Sequence, residues 1–146
     1  MATQYRFEKK LGKYDQKVRN DEWTKADCKF YGSAYKKYTW EGDERFITAR
    51  NDSGELLGFV TLSTEGGVVW IEECLVFEKN RKQGIGTKLL TNLLEEAKRL
   101  NCHKIILETN ENLAAMNLYK KFGFNVEARL KDHYAHLEHV LMSLFI

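Results

Sequence analysis

The sequence predicts an α/β fold: a mixed, mostly antiparallel sheet with a central parallel pair of strands and helices on both faces. Three observations point there. From Val68 onward, short β-branched and aromatic runs alternate with amphipathic segments in the order strand–helix–strand–helix–strand. Strand–helix–strand units lay their strands parallel and adjacent, so the Val68 and His103 runs are expected to be neighbours. Before Val68, the turn residues Asn51-Asp52-Ser53-Gly54 and Glu65-Gly66-Gly67 join β-like runs into hairpins.

Taken in order, Tyr5 to Lys10 is read as a first strand. Asp15 to about Tyr38 is read as mainly helical, interrupted near Ala26-Asp27 and weakened by Gly32; its aromatic residues are expected to be mostly core. Arg45 to Arg50 and Glu55 to Ser63 form the first hairpin. Val68 to Phe77 is the next strand, rich in Val, Ile, Trp and Phe. Gly86 to Leu100 carries apolar residues at Leu89, Leu90, Leu93, Leu94, Ala97 and Leu100, which is helical spacing. His103 to Glu108 is a short apolar strand. Asn110 or Asn112 is placed to cap a following helix that Gly123 stops. Asn125 to Leu130 and Glu138 to Phe145 complete the strands. With no repeat, low-complexity stretch or linker, residues 1–146 read as a single domain.

A chain of 146 residues with 43% apolar and 30% charged residues has the composition of a soluble globular protein. A net charge of +2 and the absence of a reader motif argue against nucleic acid as a partner. No run of eighteen apolar residues and no signal-peptide pattern is present, so a cytoplasmic protein without a membrane partner is expected. Cys28, Cys74 and Cys102 are odd in number and widely spaced, which fits neither a disulfide framework nor a zinc site. His133, His136 and His139 lack the carboxylate–histidine context of a zinc motif; they read as surface or acceptor-side residues, and no metal is expected.

The most informative stretch is Asn80-Arg81-Lys82-Gln83-Gly84-Ile85-Gly86-Thr87, between the Val68 strand and the long helix. A basic, glycine-containing turn that opens a helix is suited to a phosphate anion, because glycine allows close backbone approach and the first helical amides point at the charge. It is not a P-loop, since no Gly-Lys-Ser/Thr closes a Gly-x-x-x-x-Gly. The Gly-x-Gly-x-x-Gly dinucleotide spacing also fails.

The spacing Arg81-x-x-Gly84-x-Gly86, with Val76 five residues before Arg81, resembles the acetyl-coenzyme A loop of the GNAT N-acetyltransferase superfamily. Farther on, Asn112-x-x-Ala115-x-x-Leu118-Tyr119-x-x-x-Gly123-Phe124 resembles that family's second signature. The likeness covers about Phe46 to Ile146. It departs from the pattern at Glu78, where the family often has proline, and at Cys74, where it often has leucine. The resemblance implies an acetyl-coenzyme A-binding core over residues 46–146, a splayed sheet centre that serves as the cofactor slot, and a variable acceptor-side region over residues 1–45. It also allows a homodimer.

It further implies the parts of an acetyl transfer. The pyrophosphate is expected on the amides of Gln83, Gly84, Ile85, Gly86 and Thr87, beside Arg81 and Lys82. A β-bulge at the strand end is expected to free main-chain groups at Leu75, Val76 and Phe77 for the pantetheine arm and the thioester carbonyl. Tyr119 takes the place of the acid for the departing thiolate; thiol and phenol have ordinary pKa values of about 8.5 and 10, so the transfer is near-balanced. Asn112, Ala115 and Tyr119 share one helical face by spacing, with Asn112 bonding the pantetheine arm and Ala115 leaving it room. Glu72, Glu73 and Glu108 are the candidates for the base that frees the amine. A bulge flips side-chain parity, so the sequence leaves open which of Glu72 and Glu73 faces the cleft.

The leading expectation is therefore direct acetyl transfer from acetyl-coenzyme A to a primary amine in a ternary complex, the acceptor being a small molecule. The stretch Leu107-Glu108-Thr109 with Asn112 and Tyr119 is similar to streptothricin acetyltransferases, whereas Tyr134 to Met142 is similar to enzymes that acetylate protein N-termini. A protein-terminal or lysine acetyltransferase is the alternative. A non-catalytic acyl-coenzyme A sensor is the rival from another class.

Overall fold

The computed structural model describes residues 3–40 and 42–146. It comprises two compact units, one ending at Lys37 and one spanning Tyr38–Ile146. The first holds helix α1 (Lys13–Tyr31) and a 3-10 segment, Gly32–Lys37. Contrary to the sequence reading, α1 runs unbroken through Ala26-Asp27. Alanine is the best helix former, and one interior aspartate costs only tenths of a kcal/mol. The helix ends at Gly32, whose N–H donates to the Cys28 carbonyl at a φ of 58°. Tyr5 to Lys10 is not a strand. An extended segment gains ladder hydrogen bonds only beside a partner strand, and Tyr5 and Phe7 stay more than 90% exposed. Trp23 and Phe30 are likewise exposed rather than core. Val18, Trp23, Phe30 and Tyr31 do not recur at a spacing that makes one apolar stripe.

The second unit is built on six strands: β1 (Arg45–Arg50), β2 (Leu56–Glu65), β3 (Val68–Val76), β4 (Lys104–Thr109), β5 (Asn125–Leu130) and β6 (His139–Phe145). Their order is β1-β2-β3-β4-β6-β5. Among the described residues only β3 and β4 pair in parallel, as the strand–helix–strand reading requires. Asn51 shapes the first hairpin: its Oδ1 accepts from the main-chain N–H of Ser53 and of Glu55. Gly66 and Gly67 join β2 to β3 with φ of 58° and 83°, the doubly left-handed loop that a tight hairpin needs and that glycine alone adopts freely.

Helix α2 (Ile85–Arg99) connects β3 to β4, and α3 (Ala115–Phe122) connects β4 to β5. Both crossovers step in the same direction across the sheet, so right-handed connections lay α2 and α3 on one face. There Leu89, Leu90, Leu93 and Ala97 of α2, with Met116 and Tyr119 of α3, close over Val60, Leu62, Val69, Ile71, Ile105, Leu107, Val140 and Met142. Each fully buried leucine contributes about 2 kcal/mol relative to exposure. No helix among the described residues is long and apolar enough to cross a membrane.

Candidate active site

Two breaks in regular structure, one on each side of β3, create the site. On the β2 side, Thr61 pairs with Glu73 and Leu62 with Ile71, which leaves Glu72 as the extra residue of a β-bulge. On the β4 side, pairing runs only from Val68–Lys104 to Ile71–Leu107. Beyond that point the two parallel strands part, and the opening begins at the bulge. The sequence reading had put the bulge at Leu75–Phe77; the structure has it three residues earlier.

The main chain at the opening follows from ladder alternation. The Phe77 N–H donates to the Leu57 carbonyl at 3.0 Å, so Phe77 faces β2 and its amide is taken. By alternation Leu75 also faces β2, while Cys74 and Val76 face the gap. The Val76 carbonyl accepts from Arg81 Nε at 3.0 Å, which anchors the basic turn to the strand end.

That turn opens α2 from Gly84, whose φ of 76° is left-handed. Lys88 N donates to Gly84 O, the first bond of the helix. The amides of Ile85, Gly86 and Thr87 therefore precede the intrahelical ladder, and no side chain caps them. Arg81, Lys82 and Gln83 are exposed beside them. The macrodipole and these donors together suit an anion. Gly86 is packed so closely that a Cβ there would lie 2.8 Å from Leu118 Cδ2 on α3. Lys79 is already engaged by Glu55.

The bulge also sorts the side chains. Ile71 points to the helix-covered face. Glu72 points to the other, and the extra residue lets Glu73 point there too, so both carboxylates face the same side. Glu72 Oε1 accepts from Ser63 Oγ at 3.1 Å and Glu73 Oε2 from Thr61 Oγ1 at 3.0 Å. With Glu44 and Gly42 these groups line an open cleft of about 310 Å³. Glu108 follows Leu107 on β4, opposite Glu72 across the mouth of the gap and on the same face. Its Oε1 is contacted by His133 and His139.

After the bulge Cys74 returns to the helix-covered face, where it neighbours the Tyr119 hydroxyl. Tyr119 is 5% exposed and stands edge-on to Phe124, ring centroids 5.8 Å apart. Burial, and secondarily the neighbouring Cys74, hold the Tyr119 phenol above its ordinary pKa. Burial likewise raises the Cys74 thiol, against the opposing effect of the neighbouring Tyr119 hydroxyl. The phenol is thus a weaker acid than the near-balanced donor expected from sequence.

Asn112 departs from the sequence reading. Its N–H donates to Asn110 Oδ1 at 2.9 Å in the turn before α3, and the helix begins only at Ala115. Asn112 therefore lies outside the helix and does not share its face with Ala115 and Tyr119. The sequence reading also missed the partners of the carboxylates: Thr61, Ser63, His133 and His139. These contacts are long-range, and no local spacing announces them. Among the described residues no cluster of His, Cys, Asp and Glu is placed to hold a metal ion.

Residues 15–124 match the model of the acetyltransferase (GNAT) family. An N-alpha-acetyltransferase of Sulfolobus acidocaldarius is 36% identical over 112 residues, covering 73% of this chain and 65% of that protein. The chain spans about half to two thirds of the length of the curated relatives it matches. An acetyltransferase structure from Bacillus cereus aligns with a TM-score of 0.75 at 18% identity, covering 97% of this chain and 98% of that one, a likeness of fold. A protein from Bacillus anthracis assigned as a streptothricin acetyltransferase, crystallised with acetyl-coenzyme A, aligns with a TM-score of 0.65 at 26% identity over 77% of this chain and 68% of that one.

Proposed function

The chain belongs to the acetyltransferase (GNAT) family, and on that premise we propose that it transfers an acetyl group from acetyl-coenzyme A directly to a primary amine, the two substrates bound together. One observation carries this reading: β3 and β4 part immediately beside an anion-ready turn, so one molecule with a diphosphate and an extended arm can engage both.

In this reading the diphosphate sits on the amides of Ile85, Gly86 and Thr87, with Gln83, Gly84 and Lys82 around it. Arg81 adds charge while holding the turn to Val76. The pantetheine arm runs along the gap-facing main-chain edge of β3 at Cys74 and Val76, where the Val76 carbonyl is held by Arg81 and its N–H faces the gap, flanked by the Leu75 and Phe77 stretch, with Asn112 and Ala115 on its other side. A main-chain donor aimed where the tetrahedral oxyanion forms is worth about 3 kcal/mol. The amine enters from the carboxylate face and loses a proton there. The thiolate leaves toward Tyr119 on the opposite face, and the raised phenol pKa keeps Tyr119 protonated and able to donate at neutral pH. No nucleophile is needed on the enzyme.

A small cationic amine is the acceptor this site favours. Glu44, Glu72 and Glu73 line the cleft, and Glu108 stands at the mouth of the gap; the four carboxylates give the face a negative field that draws ammonium groups. The 36% identity to an N-alpha-acetyltransferase favours a second reading, a protein N-terminus as acceptor. The test is calorimetry with acetyl-coenzyme A followed by thiol release on a panel of polyamines, aminoglycoside-like amines and peptides. Turnover of small amines is expected; turnover of peptide termini alone would select the second reading. Binding without turnover on any amine would leave a sensor.

A further inference from the structure

Of the three candidate bases, Glu108 alone is held by imidazoles. Its Oε1 lies 3.0 Å from His139 Nδ1 and 3.1 Å from His133 Nε2. The Tyr134 ring packs against both, with centroids 4.4 Å from His133 and 5.3 Å from His139, and the imidazoles are 5.5 Å apart. The β5–β6 connection that presents His133 and leads into His139, the first residue of β6, is strained and braced. Asp132, Ala135 and His136 carry positive φ of 49°, 53° and 61°. His133 N donates to Leu137 O, Asn110 Nδ2 to Glu138 O, and Arg129 bridges Glu111 and Glu138. Strain of this kind persists only where surrounding bonds over-determine it, and it clusters at functional sites.

The three carboxylates differ in what they touch. Glu72 and Glu73 accept bonds from hydroxyls, which cannot store a proton at neutral pH. Imidazole can, because its ordinary pKa is about 6.5. The two histidines also differ: the His139 side chain is 18% exposed and His133 34% exposed. The more enclosed ring can fix the carboxylate, and the more open one can reach water.

We propose that His133, Glu108 and His139 form the proton exit for the acceptor ammonium. This rests on the acetyl-transfer reading above. An N–H bond of the ammonium breaks and an O–H bond forms on Glu108, leaving the amine lone pair free to attack the thioester. The proton then passes to His133 Nε2 as the proton on its Nδ1 is released to water, and the ring returns to the Nδ1–H tautomer by proton exchange with water before the next turnover, so charge and protons balance over the cycle. His139 donates its Nδ1–H to Glu108 throughout and acts as a positioning residue. The other ionisable groups near Glu108 are Glu72 across the mouth of the gap and the stacked Tyr134. Arg129 is committed to Glu111 and Glu138, and His136 turns away to Asp132 at 2.6 Å.

The test uses the full chain and an amine it accepts. His133→Gln is expected to lower kcat/KM for the amine by about 10- to 100-fold at pH 7, part of the effect a general base supplies. The deficit should shrink to about threefold or less near pH 9.5, where more of the amine is already neutral. The calorimetric Kd for acetyl-coenzyme A should not move, and His136→Gln in the same connection should stay within about twofold of wild type. A loss that is the same at both pH values, or no loss, overturns the proton exit. A readout independent of turnover is the long-range proton–nitrogen NMR spectrum: His139 should be the Nδ1–H tautomer, minor in free imidazole, and should lose it in Glu108→Ala. Its absence in the wild type overturns the cluster. A wild type that binds acetyl-coenzyme A but acetylates no amine sinks the transfer reading itself, and the exit with it, whereas a pH-independent loss sinks the exit alone.

Discussion

Replacing Tyr119 with phenylalanine separates catalysis from packing at one atom. The ring is 5% exposed and packs edge-on to Phe124, and that contact survives in Tyr119→Phe. What is lost is the hydroxyl and its polar contact with the neighbouring Cys74 thiol. A neutral intramolecular bond is worth about 0.5–1.5 kcal/mol net, and a thiol is a weak partner, so the cost belongs at the low end. For a chain of this length that is about 1–3 °C in Tm. If Tyr119 is the acid for the thiolate, kcat should fall by about 10²- to 10⁴-fold while the Kd for acetyl-coenzyme A stays nearly constant. Steady-state thiol release and calorimetry on one preparation measure both. The same variant has a pH signature. The Tyr119 pKa is raised in the folded state above the ordinary value of about 10, so its contribution to stability is present below pH 10 and is lost as pH rises beyond it, because the unfolded chain deprotonates first. Alkaline unfolding of the wild type should therefore steepen above pH 10, and Tyr119→Phe should lack that component. Unchanged steady-state rates would remove Tyr119 as the acid; an unchanged alkaline limb would refute its buried, pKa-raised state.

Further outcomes follow from the same geometry. Arg81→Gln removes a charge and the bond to the Val76 carbonyl, so the Kd for acetyl-coenzyme A should rise about 10-fold at low salt and the deficit should narrow with added salt, measured by calorimetry. Gly86→Val forces a branched side chain against Leu118, which a lone Cβ would already approach to 2.8 Å; a loss of about 1–3 kcal/mol in denaturant unfolding and weaker coenzyme binding are expected. Cys74→Ala should leave turnover within about 10-fold and form no acetylated protein, since direct transfer gives the thiol no covalent role. An acetyl adduct on the wild type detected by mass spectrometry, absent from Cys74→Ala, would overturn direct transfer.

Much of the architecture was legible because its signals are local. The α2 stripe from Leu89 to Ala97, the Asn51 and Gly66-Gly67 turns, and the strands β1 and β5 come from residues within one or two turns of each other. The strand read at Tyr5 to Lys10 failed for the complementary reason: a strand exists through its partner, and alternation alone supplies none. The α1 break failed because aspartate is only a mild penalty inside a long helix. Asn112 was misplaced by one helical turn, since its neighbour Asn110 takes its N–H and delays the start of α3.

The sequence by itself determined the elements and the chemistry available: a basic turn opening a helix, a buried-type tyrosine at helical spacing from a small residue, and carboxylates near two strand ends. Tertiary structure alone decided which of these groups meet. One extra residue at Glu72 turns two successive carboxylates to the same face and returns Cys74 to Tyr119. The end of pairing at Ile71–Leu107 opens the gap between those faces. The connection after β5 and the first residue of β6 set two imidazoles, His133 and His139, on Glu108. Register and pairing are cooperative properties of whole strands, and contacts between residues thirty positions apart leave no periodic trace in the chain.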